Sequence, residues 1–225
     1  MRKADAAEFS IQKAKKAQER MAERIISQDQ LSGDIRLVAG VDAAYTADLA
    51  IGAAAVLDYN SLELLEVQTA ICHVKFPYVP TLLSFRELPA AVACIRKLQL
   101  QPDVFLVDGH GKAHPRGCGF ASHLGLALGR PTVGVAKNRL VGDLKQVGEE
   151  TFLVYNGEIV GAVLSTRRGA KPVYVSVGHL VSLETAVKIV KHCLCNDRIP
   201  EPVLQAHRIA SERRKTEIAK ATNTL

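Results

Sequence analysis

The chain has no tryptophan, no CxxC pair, no internal repeat and no low-complexity linker. It also has no apolar run near the roughly 18 residues that span a bilayer, so no membrane partner is expected. The stretch Met1 to Arg24 is charged and rich in alanine, without the apolar centre of a signal peptide. The five cysteines, Cys72, Cys94, Cys118, Cys193 and Cys195, form an odd set without paired spacing. That argues against a disulfide framework or a structural zinc site, and for reduced thiols in the cytoplasm. What remains is 225 residues, 48% hydrophobic and 23% charged, enough for one core and read as one domain over 1–225. Lys and Arg number 29 against 23 Asp and Glu, a net +6 that favours an anionic partner without requiring one.

Residues 3–28 read as a helix from their Ala, Lys, Glu and Gln content. Arg36–Tyr45, Ala50–Asp58 and Leu62–Val74 read as three strands of an antiparallel meander, the last two joined by a turn at Tyr59-Asn60-Ser61. After the loop Lys75–Ser84, Ala91, Val92, Ile95 and Leu98 recur at helical spacing. A buried strand ending at Asp108 follows, then a helix from Phe120 to Leu128 and a strand at Thr132–Val135. Strands at Thr151–Tyr155, Ile159–Leu164 and Val173–Val177 precede a helix capped by Ser182. Its inner face carries Leu183, Val187, Val190 and Leu194, with Cys193 and Cys195 packing near its end. A basic segment over 203–225 ends the chain, possessing helical character and a frayed Thr222-Asn223-Thr224. This order predicts a mixed α/β sheet with helices on both faces, the element order of a ribonuclease-H-like fold.

Chemistry concentrates after the apolar run Val104-Phe105-Leu106-Val107. Asp108 stands at the strand's C-terminal edge, where open α/β sheets place ligands. Gly109 and Gly111 permit close backbone approach there, and His110, Lys112, His114 and Arg116 surround the acid with positive or switchable charge. Asp42 lies on the first strand, flanked by small residues that leave room for an ion. Two carboxylates on neighbouring strands suit Mg²⁺ or Mn²⁺. Ser84-Phe85-Arg86-Glu87 matches a capping box, yet Pro89 inside that helix would lose a hydrogen bond. The helix is therefore predicted to start near Leu88 or Pro89, with Glu87 outside it as a third acid. Pro77 and Pro80 stiffen the loop before it, and Tyr78 between them can act as a wedge among bases or pack beneath its own loop. Lys137 closes a short apolar strand, and His207 sits in the basic tail.

These blocks resemble endonuclease V, the deoxyinosine-specific repair nucleases. Val38–Asp42 resembles the family's first acidic strand. Pro77–Pro80 with Leu83–Glu87 resembles its wedge loop and second acid, and Asp108–Gly111, Ala113–Arg116 and Ala121–His123 its third acidic block. Gly134–Lys137, Gly178-His179 and Pro200–Pro202 continue in the same order. The resemblance implies Asp42 and Asp108 as Mg²⁺ ligands, with Mn²⁺ as a substitute, and Glu87 as the accompanying acid. It further implies His207 in the catalytic set, Lys137 at the attacking water or scissile phosphate, and Tyr78 as the wedge. Arg86, Gly109, Gly111, His114 and Arg116 become supporting residues. Members read hypoxanthine largely through backbone groups and cut the second phosphodiester bond 3′ to the lesion, leaving 3′-hydroxyl and 5′-phosphate ends. Thr81 replaces the usual glycine after the wedge motif, and Gly117-Cys118 stands where a second arginine is common.

The expected substrate is DNA containing deoxyinosine, cut by a monomer with Mg²⁺. An inosine-specific ribonuclease of the same family is the nearest rival, because only the tolerance of a 2′-hydroxyl separates the two. A non-catalytic nucleic-acid binder is disfavoured, since converging acids would repel phosphate.

Overall fold

A computed structural model describes residues 3–165, 171–195 and 197–222. The elements run α1 (Lys3–Ala22), β1 (Leu37–Tyr45), β2 (Leu49–Asp58), β3 (Leu64–His73), α2 (Ser84–Ile95), β4 (Val104–Asp108) and α3 (Phe120–Leu128). They continue β5 (Thr132–Ala136), β6 (Asp143–Val147), β7 (Glu150–Tyr155), β8 (Glu158–Leu164), β9 (Val173–His179), α4 (Leu183–His192) and α5 (Glu201–Thr222). The nine strands of the described residues form one sheet in the order β3-β2-β1-β4-β5-β9-β8-β7-β6. The meander β1-β2-β3 is antiparallel, as expected. β4 lies parallel to both β1 and β5, and β9 runs antiparallel to β5.

Strand periodicity decides which helix covers which face. Val38, Val104, Leu106, Val133 and Val135 point to one side and pack with Ala186, Val190, Val203 and Ala206 of α4 and α5. Ala39, Val41, Phe105 and Val107 point to the other and pack with Ala91, Cys94, Ala121 and Leu124 of α2 and α3. The result is a ribonuclease-H-like mixed sheet with helices on both faces.

Two glycines set how closely the helices approach. A Cβ on Gly40 would lie 1.7 Å from the Pro202 carbonyl oxygen, so α5 sits on bare β1 backbone. A Cβ on Gly52 would lie 2.3 Å from the Ala90 carbonyl oxygen, so α2 is seated on β2 in the same way. Of the small residues flanking Asp42, Gly40 thus admits a helix.

Several boundaries differ from the sequence reading. α1 ends at Ala22 rather than residue 28, because the next residues turn to follow β9. There the Ile26 carbonyl accepts from the Leu180 amide at 2.8 Å, and the Ile26 amide donates to His179 Nδ1 at 3.2 Å. α2 begins at Ser84, so Glu87 lies in its first turn and Pro89 within the helix. The Leu83 carbonyl accepts from the Arg86 and Glu87 amides at 2.8 and 3.0 Å and so opens the helix upstream of the proline. No side chain caps that end. The Ser84 hydroxyl instead contacts His123 Nδ1 at 3.1 Å. β6 had no strand signature. All five of its residues are exposed, so neither face shows an apolar alternation. The basic tail is helical to Thr222, and the rest of the segment thought frayed lies outside the described residues. The five cysteines are free thiols.

Candidate active site

β1 and β4 pair in parallel register through Val41 and Val107, and the next residue on each strand is an acid. Asp42 and Asp108 therefore leave adjacent strands side by side, on the face that α5 covers. Seating of α5 against Gly40 carries His207 to them: its Nδ1 lies 2.7 Å from Asp42 Oδ2 and 3.8 Å from Asp108 Oδ2. Asp42, Asp108 and His207 each offer one ligand atom within 4.8 Å of the others. Lys137 follows the end of β5 and places Nζ 2.5 Å from Asp108 Oδ2. Asp42 Oδ1 accepts the Ala43 amide at 2.7 Å, which fixes that carboxylate's orientation.

The electrostatics show a site short of positive charge. Burial first, then the negative Asp42, hold the Asp108 pKa above the usual carboxylate range, against the pull of Lys137 and His207. Glu87 approaches from the opposite face and stands outside the three-residue cluster. Burial and then Asp42 push its carboxyl up to about 8. The Tyr45 phenol counters that rise, although its buried oxygen lacks a well-formed hydrogen bond. His207 is shifted upward by its hydrogen bond to Asp42, so the imidazole gains a proton more readily than in water. Two crowded carboxylates beside a third held neutral form a site that a divalent cation would relieve. Their hard oxygens suit Mg²⁺ or Mn²⁺.

A pocket of about 210 Å³ opens beside the acids, lined by Thr81, Ser84, Glu87, Asp108, His110 and Phe120 among others. Tyr78 stands at 68% exposure on the proline loop, presented outward. Pro77 and Pro80 flank it in non-helical backbone. The supporting residues named from the sequence make the following contacts. Arg86 lies with its guanidinium 4.8 Å from the Tyr45 ring centre and donates to the Phe76 carbonyl at 3.3 Å. A Cβ on Gly111 would lie 2.0 Å from the Val177 carbonyl oxygen, so this glycine serves the contact with β9. Gly109 lies in the pocket wall. His114 and Arg116 both bond the Thr81 carbonyl, and His114 lines the pocket with Glu87 and Asp108.

Three neighbours were not among the residues named from the sequence. Tyr45 ends β1 and reaches Glu87. Arg198 donates to the carbonyls of Lys137 and Pro172, tethering the loop that carries the lysine. Gln18, in a helix that reads as surface, is fully buried. Only the alternation at Tyr45, three residues after Asp42, could have flagged one of them.

The likeness to known proteins extends along most of the chain. A family model described as Endonuclease V matches residues 19–208. Endonuclease V from Nostoc punctiforme is 45% identical over 208 residues, covering 90% of this chain and 94% of its own. The crystal structure of Endonuclease V from Streptomyces avermitilis aligns with a TM-score of 0.84 at 38% identity, over 93% of this chain and 94% of that one. Ciona intestinalis Endonuclease V, solved with a 24mer DNA containing an inosine followed by a ribo-adenosine, aligns at 0.83 and 31% identity over 92% and 99%. An enzyme's fold, an acid pair on its two parallel strands and this breadth of likeness agree, and the chain belongs to the endonuclease V family of nucleases.

Proposed function

We propose that this nuclease recognises deoxyinosine in DNA and hydrolyses the second phosphodiester bond on the 3′ side of the lesion. The observation that carries the reading is the meeting of Asp42, Asp108 and His207 within 4.8 Å beside an open pocket. A structure-specific binder has no use for that arrangement. The acids would hold Mg²⁺, with Mn²⁺ able to replace it. When bound, the ion would offset charge developing on the phosphate and lower the pKa of a coordinated water.

The chain's own groups do the rest. Asp42 and Asp108 fix the position of the charge, and His207 holds Asp42 in one rotamer through Nδ1. Lys137 presents a positive Nζ beside Asp108, where a scissile phosphate can be met. Glu87 brings a third carboxyl to the pocket wall. Water adds to phosphorus, the bond from phosphorus to O3′ breaks, and O3′ takes up a proton, giving 3′-hydroxyl and 5′-phosphate ends. Tyr78 enters the space left when hypoxanthine leaves the stack, a displacement made cheaper by its weak pairing. The whole chain acts as one domain and as a monomer in the cytoplasm. No described helix is long and apolar enough to cross a membrane.

Cleavage of end-labelled oligonucleotides bearing one inosine, with Mg²⁺ or EDTA, tests the reading. Mg²⁺-dependent nicking of DNA one bond beyond the lesion's own 3′ linkage supports it, and absence of any cut overturns it. A second reading, inosine in RNA, draws on the ribo-adenosine that follows inosine in the DNA bound by the Ciona enzyme. Faster cutting of the RNA oligonucleotide would favour that substrate.

A further inference from the structure

Thr81 follows the proline loop with φ +67°, a left-handed backbone that β-branched residues avoid. That conformation aims its carbonyl oxygen at donors from two distant segments. Gln18 Nε2 of α1, His114 Nε2 and Arg116 Nη2 each lie 3.0 Å from it. The same arginine nitrogen reaches the Thr81 hydroxyl at 2.5 Å. Arg116 Nε donates to Gln18 Oε1 at 2.7 Å, and Gln18 Nε2 also donates to the Cys118 carbonyl at 2.8 Å. His114 Nδ1 accepts from the Arg116 amide at 3.2 Å, which leaves Nε2 to carry the proton toward Thr81. Gln18 and His114 are both buried, so water competes poorly for these bonds.

One residue thus ties three pieces of chain together: the first helix, the loop after Asp108 and the loop bearing Tyr78. Glycine would take the left-handed backbone without strain but could offer no hydroxyl to Arg116. Threonine in this place exchanges local ease for a second bond to the arginine. Thr81 also lines the pocket with Glu87 and Asp108, so its anchoring sets the spacing between that wall and the exposed Tyr78.

We propose that Thr81 is a positioning residue for substrate binding, locked by Gln18, His114 and Arg116. The first helix is then part of the apparatus that grips nucleic acid, although none of the three side chains touches the acids. A loop held before substrate arrives loses less freedom on binding, so the lock acts on affinity and leaves the chemical step alone. This inference rests on the proposed inosine-directed activity for the identity of the substrate, but the lock itself exists in the free protein.

Three variants test it: Thr81→Val, which removes only the hydroxyl and keeps the branch, Thr81→Ser, which keeps the hydroxyl, and Arg116→Met. Steady-state cleavage of an inosine duplex gives KM and kcat. Hydrogen exchange of residues 74–83 in the free protein reads the loop directly. Thr81→Val and Arg116→Met should raise KM about tenfold, the scale of one lost charge-assisted hydrogen bond, with kcat within about twofold. Both should speed exchange in 74–83, while Thr81→Ser stays near the parent in both measurements. Parent-like exchange and KM in Thr81→Val would overturn the lock, as would a fall in kcat at constant KM. Should Arg116→Met fail to fold, the Val and Ser pair carries the comparison alone. If the parent cuts no inosine substrate, the proposed activity fails, and exchange in 74–83 still decides the lock.

Discussion

Replacing Gly40 by alanine tests whether the seating of one helix assembles the site. The new methyl would meet the Pro202 carbonyl oxygen at 1.7 Å, its carbon at 2.1 Å and the Val203 amide nitrogen at 2.7 Å, all backbone. Ordinary contact begins near 3.4 Å, so α5 must retreat by roughly 3.4 − 1.7 = 1.7 Å at that point. His207 lies five residues farther along, about 7.5 Å at the helical rise, and moves with it. Its 2.7 Å bond to Asp42 would open to about 2.7 + 1.7 = 4.4 Å, beyond hydrogen-bonding range. Overpacking of this kind costs about 1–3 kcal/mol, or roughly 2–12 °C of melting temperature in a chain this long. Cleavage should fall further than stability explains, at least ~10-fold at a temperature where the variant is still folded. Gly129→Ala is the contrast. Gly129 has φ +62° and nothing within 4 Å, so alanine there should cost about 1 kcal/mol of stability and leave cleavage intact. Thermal melts with single-turnover cleavage decide the matter. A Gly40→Ala protein that melts and cuts like the parent refutes the claim that bare backbone at β1 positions His207.

Asp108→Asn should lower cleavage by at least ~100-fold, the scale of losing one electrostatic stabiliser. In EDTA its fold should gain stability, because burial and Asp42 disfavour the native carboxylate. A melting temperature below the parent's would contradict that account. Tyr78→Ala should weaken binding to an inosine duplex by about 1–3 kcal/mol, the worth of one stacked ring, without moving the melting temperature. Equal affinities would exclude the wedge. Burial, aided at His114 by Arg116, holds the His114 and His123 pKa values at about 4, below the ordinary 6.5. The unfolded chain therefore binds protons that the folded chain refuses between those values. Stability is full above pH 6.5 and declines as pH falls toward 4, by up to about 3 kcal/mol per histidine. Urea titrations across that window should show the decline, and a flat profile would remove it.

What was legible in the sequence was whatever the periodicity of burial controls. The run Val104–Val107 reads as a strand covered on both faces because it is one, and Asp108 follows at its open end. β6 escaped for the converse reason, as an edge strand with no buried side. Pro89 misled because a proline favours the first helical position, whereas α2 carries it in its interior. Its exposed ring and the early turn at Leu83 make it tolerable there. Long-range geometry beyond the family's acid set was not legible. Nothing local marks Gln18 as buried, since its partners lie 63 and 100 residues away. Likewise Gly40 shows its purpose only once α5 has returned to cover it.

The pairing of Asp42 with His207 spans 165 residues. Of the cluster, His207 is therefore the last part to leave a ribosome, and domains take shape from their N-terminal side as synthesis proceeds. A chain released before α5 lacks both that imidazole and the helix that covers β1. A premature stop between Asp108 and that helix would therefore leave a chain that holds the two acids but lacks the imidazole that pairs with Asp42.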